Sequence, residues 1–418
     1  PSCGWTTVQA GATTGETTSD ETTATIKNIF TVTEHLLEND VLRVEFNDKG
    51  EITSIFDKEA AQNLRSFDYA QDDNTPSDYA QDDNIQFDYA QDDDTQGEYV
   101  TDEGPCNAFK MYKDVPSMFD AWDIDSMYEL TSVALDEPAT IEVVASGPLV
   151  GILRVTRKLH NSSMTQEISL RRGSRRVDFK TSIDWQERHK LLKVAFPVDI
   201  HANEAIHEIQ FGHIKRPNHR SRPFDADRFE VANHKWTALA EANRGFAVLN
   251  DCKYGVNVLG KHINLTLLKS PLAPDMTADQ GRQTFTYAFY VWNGSFAKSG
   301  VVHEGYDLNT PLPIIDGKVT AQSLFSVDNP NIVIETVKPA EDGSGDVIVR
   351  LYESKRMATQ TILTTSLPVA EAWETGMLEE DTLASLNLIN PTDKSSEDCR
   401  IQLTFSPFKV KTVRLRLE

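Results

Sequence analysis

Cationic side chains are scarce in this 418-residue chain: 41 Lys and Arg stand against 64 Asp and Glu, for a formal net charge of −23. Such a surface repels a nucleic-acid backbone and an anionic membrane, so neither is an expected partner. No apolar run approaches the roughly 20 residues that a membrane-spanning helix needs. Cysteine is rarer still, being confined to Cys3, Cys106, Cys252 and Cys399, with no CxxC pair. That excludes a zinc ribbon and a thioredoxin-type redox site, and it is too few for a disulfide framework. A reducing, cytoplasmic compartment is the simpler expectation, and the sequons at Asn161, Asn264 and Asn293 read as chance. Nucleophile and phosphate machinery are missing too: no Gly-x-Ser-x-Gly, no phosphate-binding Gly-rich loop and no His-Glu-x-x-His. The opening Pro1-Ser2-Cys3-Gly4-Trp5 has neither Met nor a signal-peptide hydrophobic stretch, and reads as a cut into a longer protein.

What is present suits a soluble globular protein of two or three domains, with 39% hydrophobic and 25% charged residues. The acidity is concentrated. Asp-Tyr-Ala-Gln-Asp-Asp occurs at 68–73, 78–83 and 88–93, so residues 66–96 hold ten Asp and no Lys or Arg. A ten-residue period is too short for a solenoid unit, and stacked like charge cannot bury enough surface to offset the ordering entropy. A disordered surface insertion is expected; the spacing of a calcium loop is absent.

On both sides of the insertion the hydrophobic period is two. Leu42, Val44 and Phe46 alternate with polar residues, and Asp48-Lys49-Gly50 turns the chain into Ile52 to Phe56, a hairpin. Val177, Phe179, Thr181, Ile183 and Trp185 alternate strictly, and the next run, with Leu192, Val194, Phe196, Val198 and Ile200 on one face, reads as its partner. Phe285 to Val291, Val347 to Leu351 and Val413 to Leu417 repeat the pattern, and helical periodicity is nowhere sustained beyond three turns. The expected fold is all-β: a large antiparallel sandwich over 32–310, then a smaller β-sandwich over 311–418. Two prolines in Thr310-Pro311-Leu312-Pro313 mark the boundary.

Few residues look chemical. His201, His207, His213 and His219 recur every six residues, which along a strand is about 20 Å, far beyond a shared metal with bonds of roughly 2 Å. Structural or surface histidines are the expectation. Asp120-Ala121-Trp122-Asp123-Ile124-Asp125 differs in kind, because carboxylates beside an indole supply acceptors for sugar hydroxyls and a flat face for a ring. A buried Trp with capping Asp residues is the competing reading. The loops 250–255 and 269–281 are further polar stretches between apolar strands, where either binding groups or ordinary turns belong.

Leu37-Glu38-Asn39-Asp40-Val41-Leu42-Arg43-Val44, then Gly50 and Ile55-Phe56-Asp57-Lys58, resembles the opening of the large β-domain of family 38 glycoside hydrolases, the retaining α-mannosidases. The stretch 120–125, Val177-Asp178-Phe179 with Asp184-Trp185, Lys193 to Pro197, Gln210 to Pro217, His234-Lys235-Trp236, the 250–255 loop and Ser406-Pro407-Phe408 extend the resemblance over nearly everything from about residue 32 to 418 except the Asp-rich repeat. It implies a supersandwich of the galactose-mutarotase-like type, with residues 1–31 as the linker from a catalytic region. It also implies that an N-terminal barrel supplies the Asp nucleophile and the His and Asp zinc ligands, so no catalytic residue and no metal ligand is expected in this chain. Retaining hydrolysis needs a nucleophile and an acid/base roughly 5 Å apart, and neither role can be assigned here. By position, two loops of the large sandwich are implied to approach the barrel mouth, giving Asn107, Asp114, Trp122, Asp123 and Asp125, and Lys269, Asp275 and Asp279, as candidate substrate contacts.

Three functions follow. The chain is the C-terminal β-region of an α-mannosidase, inert alone, acting on mannosides with its barrel partner; or a stand-alone carbohydrate-binding module; or a purely structural remnant. Self-association into a homo-oligomer is left open by the sequence.

Overall fold

The computed structural model describes residues 3–5, 28–60, 97–317, 322–389 and 398–418. The Asp-rich repeat and most of the expected linker lie outside them. The described chain is built from antiparallel strands and divides into two compact units. The larger comprises Thr25–Ala205 with Pro217–Ser299; the smaller gathers Ile206–Arg216 and Gly300–Glu418, with the short strand Cys3–Trp5.

In the larger unit seven strands run in the order Trp236–Ala240, Arg244–Asn250, Gly281–Asn293, Arg176–Trp185, Ser162–Arg171, Val150–Leu159 and Ala139–Ser146. A second sheet has the order Val231–Ala232, Gly255–Leu259, His262–Lys269, Lys190–Pro197, Ala108–Lys113 and Ser132–Val133. The strict alternation of Arg176–Trp185 buries Val177, Phe179, Thr181, Ile183 and Trp185 completely. Its neighbours, however, are Ser162–Arg171 and Gly281–Asn293. The expected partner Lys190–Pro197 lies in the other sheet, between His262–Lys269 and Ala108–Lys113. The reason is visible in its burial. Leu192, Val194 and Phe196 join the core, while Leu191, Lys193 and Ala195 on the opposite face are buried as well. Such a strand belongs in the middle of a covered sheet, not in a hairpin.

Aromatic side chains from both sheets meet in the core. Phe179 stacks on Tyr287 at 5.0 Å and Phe246 on Phe289 at 5.5 Å. Phe196, from the facing sheet, meets Phe246 at 5.9 Å and Tyr287 edge-on at 6.3 Å. The expected hairpin forms as Leu42–Phe46 and Ile52–Asp57. Gly50 in its turn has φ 74°, and a Cβ there would meet Val155 at 2.7 Å, so only glycine fits.

The smaller unit is a sandwich of two five-stranded sheets. One has the order Cys3–Trp5, Gln322–Val327, Thr359–Thr365, Cys399–Phe405 and Leu388–Ile389; the other Ile332–Pro339, Val347–Glu353, Val410–Leu417, Val369–Thr375 and Thr382–Leu386. Phe325, Ile334, Val349, Leu351, Leu363, Phe405, Val413 and Leu415 fill the space between. A nine-residue helix, Val301–Asn309, too short for the hydrophobic pattern to mark, also belongs to this unit.

The described residues that flank the Asp-rich insertion, up to Ala60 and from Gly97, are paired: Asp57 N–H donates to the Gly97 carbonyl at 2.9 Å, and Tyr99 N–H to that of Ile55 at 3.0 Å. The sandwich therefore holds these ends together by itself. Deleting residues 62–95 and joining the ends with a short turn should shift the unfolding temperature by no more than a few degrees, since each doubling of loop length changes closure by only about 0.6 kcal/mol. A large drop in differential scanning calorimetry would show that the repeats pack or bind an ion.

Candidate functional site

Strand register brings the candidate loops to one end of the second sheet. Lys190 lies opposite Lys113, and Leu191 opposite Lys269, so the segments after Lys113 and Lys269 emerge beside His189. Backbone bonds continue the pairing past the strands: Asp114 N–H donates to the His189 carbonyl at 3.0 Å, and His189 N–H to that of Ser270 at 2.7 Å.

Two carboxylates then lock the loops to each other. Asp114, 1% exposed, pairs through Oδ2 with the Lys269 ammonium and through Oδ1 accepts the Asp125 N–H at 2.8 Å. Asp120 Oδ2 accepts the Leu272 N–H at 2.7 Å and the Ala273 N–H at 3.2 Å, and lies 3.1 Å from His189 Nε2. Burial pushes the Asp120 carboxyl up, but those two N–H groups and His189 outweigh it and hold the group below its ordinary range. The sequence marks Asp120 only as a carboxylate near Trp122 and does not mark His189 at all. No local signal shows the anchoring role of Asp120, because its N–H partners lie 152 and 153 residues further along the chain.

The remaining candidates separate. Trp122 is 75% exposed and stands beside Met118, Phe119, Met127 and Leu130, all exposed; Met276 on the second loop is 68% exposed. Asp123 is exposed and accepts the Ile124 N–H, while Asp125 Oδ1 accepts that of Met127 at 3.0 Å. Asp275 caps its own turn, taking Thr277 N–H at 2.8 Å and its hydroxyl at 2.9 Å. Asp279 has φ 60°, and Lys253 and Lys269 are close enough to lower its pKa. Crowding around the carboxyl outweighs both, so the group lies above the usual carboxylate range.

Asn107 stands apart. It lies in the sandwich interior, 1% exposed, where Nδ2 donates to Gln166 Oε1 at 2.9 Å and Oδ1 accepts the Tyr287 hydroxyl at 2.6 Å. Gln166 Nε2 completes the network through Thr181 and the Tyr287 oxygen, at 2.9 and 2.8 Å. The structure thus brings Asp114, Trp122, Asp123, Asp125, Lys269 and Asp275 to one loop face, with Asp279 beside Lys269, and leaves Asn107 inside.

The regularly spaced histidines do not converge on one environment. His207 and His213 are buried, and burial lowers their pKa to about 3 and about 4, whereas His201 and His219 are exposed. Among the described residues no three His, Cys, Asp or Glu side chains are grouped to hold a metal ion.

With that geometry, the class of protein is defined by comparison. Residues 84–277 match the glycosyl hydrolases family 38 C-terminal domain, and 331–413 match the family 38 C-terminal beta sandwich domain. The chain belongs to glycosyl hydrolase family 38, matching the C-terminal region of its α-mannosidases. It is 41% identical over 324 residues to α-mannosidase 2C1 of Mus musculus, covering 75% of this chain and 30% of that protein. Against α-mannosidase G of Dictyostelium discoideum the identity is 37% over 321 residues, covering 74% and 29%. The fold matches the crystal structure of an α-mannosidase from Enterococcus faecalis with a TM-score of 0.66 at 14% identity, covering 92% of this chain and 42% of that one. The chain thus spans about 30% of the length of the curated relatives it matches.

The Asp114–Lys269 pair has a measurable consequence. Lys269→Ala should leave a buried carboxylate without its cation and destabilise the fold by about 3–5 kcal/mol in urea unfolding. Adding Asp114→Ala should recover part of that loss. A Lys269→Ala loss below about 1 kcal/mol, the range of an exposed pair, would show that the two loops are not locked through this contact.

Proposed function

We propose that this chain is the C-terminal β-region of a retaining α-mannosidase, acting on terminal α-mannosides together with a catalytic region like that of its longer relatives. The observation that carries the reading is the loop face itself: Trp122, Met118, Phe119 and Met276 are held outward beside carboxylates by two buried or half-buried anchors, Asp114 and Asp120. A monomeric sandwich gains nothing from exposing so many large apolar groups in one place, whereas a domain that covers another does. Trp122 would meet either a sugar ring or the catalytic region, and Asp123 would offer acceptors for hydroxyls. Nucleophile, acid/base and zinc would all come from that other region, whose two catalytic carboxyls must sit roughly 5 Å apart. A cytoplasmic location fits the absence of any disulfide framework. Among the described residues no helix is long and apolar enough to cross a membrane.

Trp122's exposure also favours a second reading, a stand-alone carbohydrate-binding face. Two measurements test the proposal. The 418-residue chain should not hydrolyse an aryl α-mannoside, with or without added zinc; turnover that survives repurification and disappears in Asp123→Asn or Asp125→Asn would contradict it. Mannose oligosaccharides should leave acrylamide quenching of a variant retaining Trp122 as its single Trp unchanged. Saturable protection would favour the binding-module reading instead.

A further inference from the structure

The smaller unit leaves one apolar segment in solvent. Thr310-Pro311-Leu312-Pro313-Ile314-Ile315-Asp316-Gly317 follows the helix Val301–Asn309. Leu312, Ile314 and Ile315 are 89%, 97% and 84% exposed, the three most exposed large apolar side chains among the described residues. Each proline fixes its own φ near −65° and pushes the residue before it into an extended conformation, so this stretch cannot coil back over its apolar groups. Thr310 N–H donates to the Tyr306 carbonyl at 2.8 Å and closes the helix. Beyond it, among the described residues, no hydrogen bond holds Pro311 to Gly317. Three such side chains in one short extended stretch mark a surface that another body covers.

The position of the segment points to that body. Residues 318–321 join it to Gln322, so Gly317 lies within about 18 Å of Gln322. Gln322 in turn lies opposite Trp5, where Gln322–Val327 pairs with Cys3–Trp5. In the longer relatives the part that this chain matches is C-terminal, so the rest of their length leads into it ahead of that strand. The segment thus stands near the place where a preceding region joins the smaller unit. A second copy of the chain is a poorer occupant, since a net charge of −23 repels its approach. The segment itself carries no charge before Asp316, so its complement is an apolar groove.

We propose that Leu312-Pro313-Ile314-Ile315 is a docking strap for the catalytic region of the α-mannosidase; this rests on the reading of the chain as the C-terminal β-region of that enzyme. Extended backbone puts Leu312 and Ile314 on one face and Ile315 on the other. It also turns the Leu312 and Ile314 N–H groups to one edge, while Pro311 and Pro313 strip donors from the opposite edge. The strap therefore pairs along one edge only, through Leu312 and Ile314, as a peptide added to a sheet edge does.

The test joins the 418-residue chain to the part of α-mannosidase 2C1 of Mus musculus that precedes the match, and compares this chimaera with the chain alone. Hydrogen–deuterium exchange at the Leu312 and Ile314 amides should be unprotected in the chain alone, and slowed at least about tenfold in a chimaera that hydrolyses an aryl α-mannoside. Ile314→Asp combined with Ile315→Asp should abolish that protection. In the chain alone the same pair should leave the unfolding temperature unchanged, because both side chains are in solvent there. An active chimaera with both amides still unprotected would overturn the strap and leave the mannosidase reading standing. A folded but inactive chimaera would overturn that reading and the strap with it. Dimers of the chain alone that the double substitution abolishes would assign the strap to a second copy and overturn the proposal.

Discussion

The larger unit depends on one constraint: two sheets must share an aromatic interior. Phe179, Tyr287, Phe246 and Phe289 come from one sheet and Phe196 from the other, and their rings interleave at 5.0 to 6.3 Å. Large apolar side chains of this kind dominate core energetics, and offset or edge-on contact fixes the sheets' relative position as simple area burial does not. Once Lys190–Pro197 is pinned by Phe196 in the middle of its sheet, its neighbours Ala108–Lys113 and His262–Lys269 end where it begins. The convergence of the two loops is a consequence of that register.

At the loop face most acidic side chains do structural work. Asp114 neutralises Lys269, Asp120 gathers two backbone N–H groups, and Asp125 and Asp275 each cap a local turn. Charge-assisted bonds to backbone N–H groups are short and strong, and they turn long irregular segments into a fixed platform. What that leaves facing outward is apolar, with Trp122 foremost and Asp123 beside it. The same economy appears on the covered face of the second sheet. There Lys193, 1% exposed, meets Glu230 at 2.5 Å and Thr266 at 2.6 Å, while the Tyr128 ring lies 5.4 Å away.

How much of this is legible in the sequence depends on how local the determinant is. The hairpin at 42–57 and the strand at 176–185 are written in strict alternation and a Gly turn, and both form as read. The placement of Lys190–Pro197 is not legible, because a strand buried on both faces loses the alternation that would assign its partner. Trp122 stands out as an indole among carboxylates, and its exposure excludes only the competing reading of a capped core residue. Asn107 gives no sign of its interior location, since Gln166 and Tyr287 reach it from distant strands. His189 and the anchoring role of Asp120 are silent for the same reason.

The central claim is that Asp120 and the Asp114–Lys269 pair hold the segments 115–130 and 270–280 as one ordered face. Hydrogen–deuterium exchange at the Leu272 and Ala273 amides tests it most directly, because in this arrangement both N–H groups end on Asp120. The carboxyl is held below its ordinary range, so the contribution is fully present at neutral pH and fades only as acid protonates it. The account predicts slow exchange of both amides in the native chain near pH 7, with protection lost in Asp120→Ala while the Phe179 and Phe196 strands stay protected. Fast exchange of Leu272 and Ala273 in the native chain would contradict it.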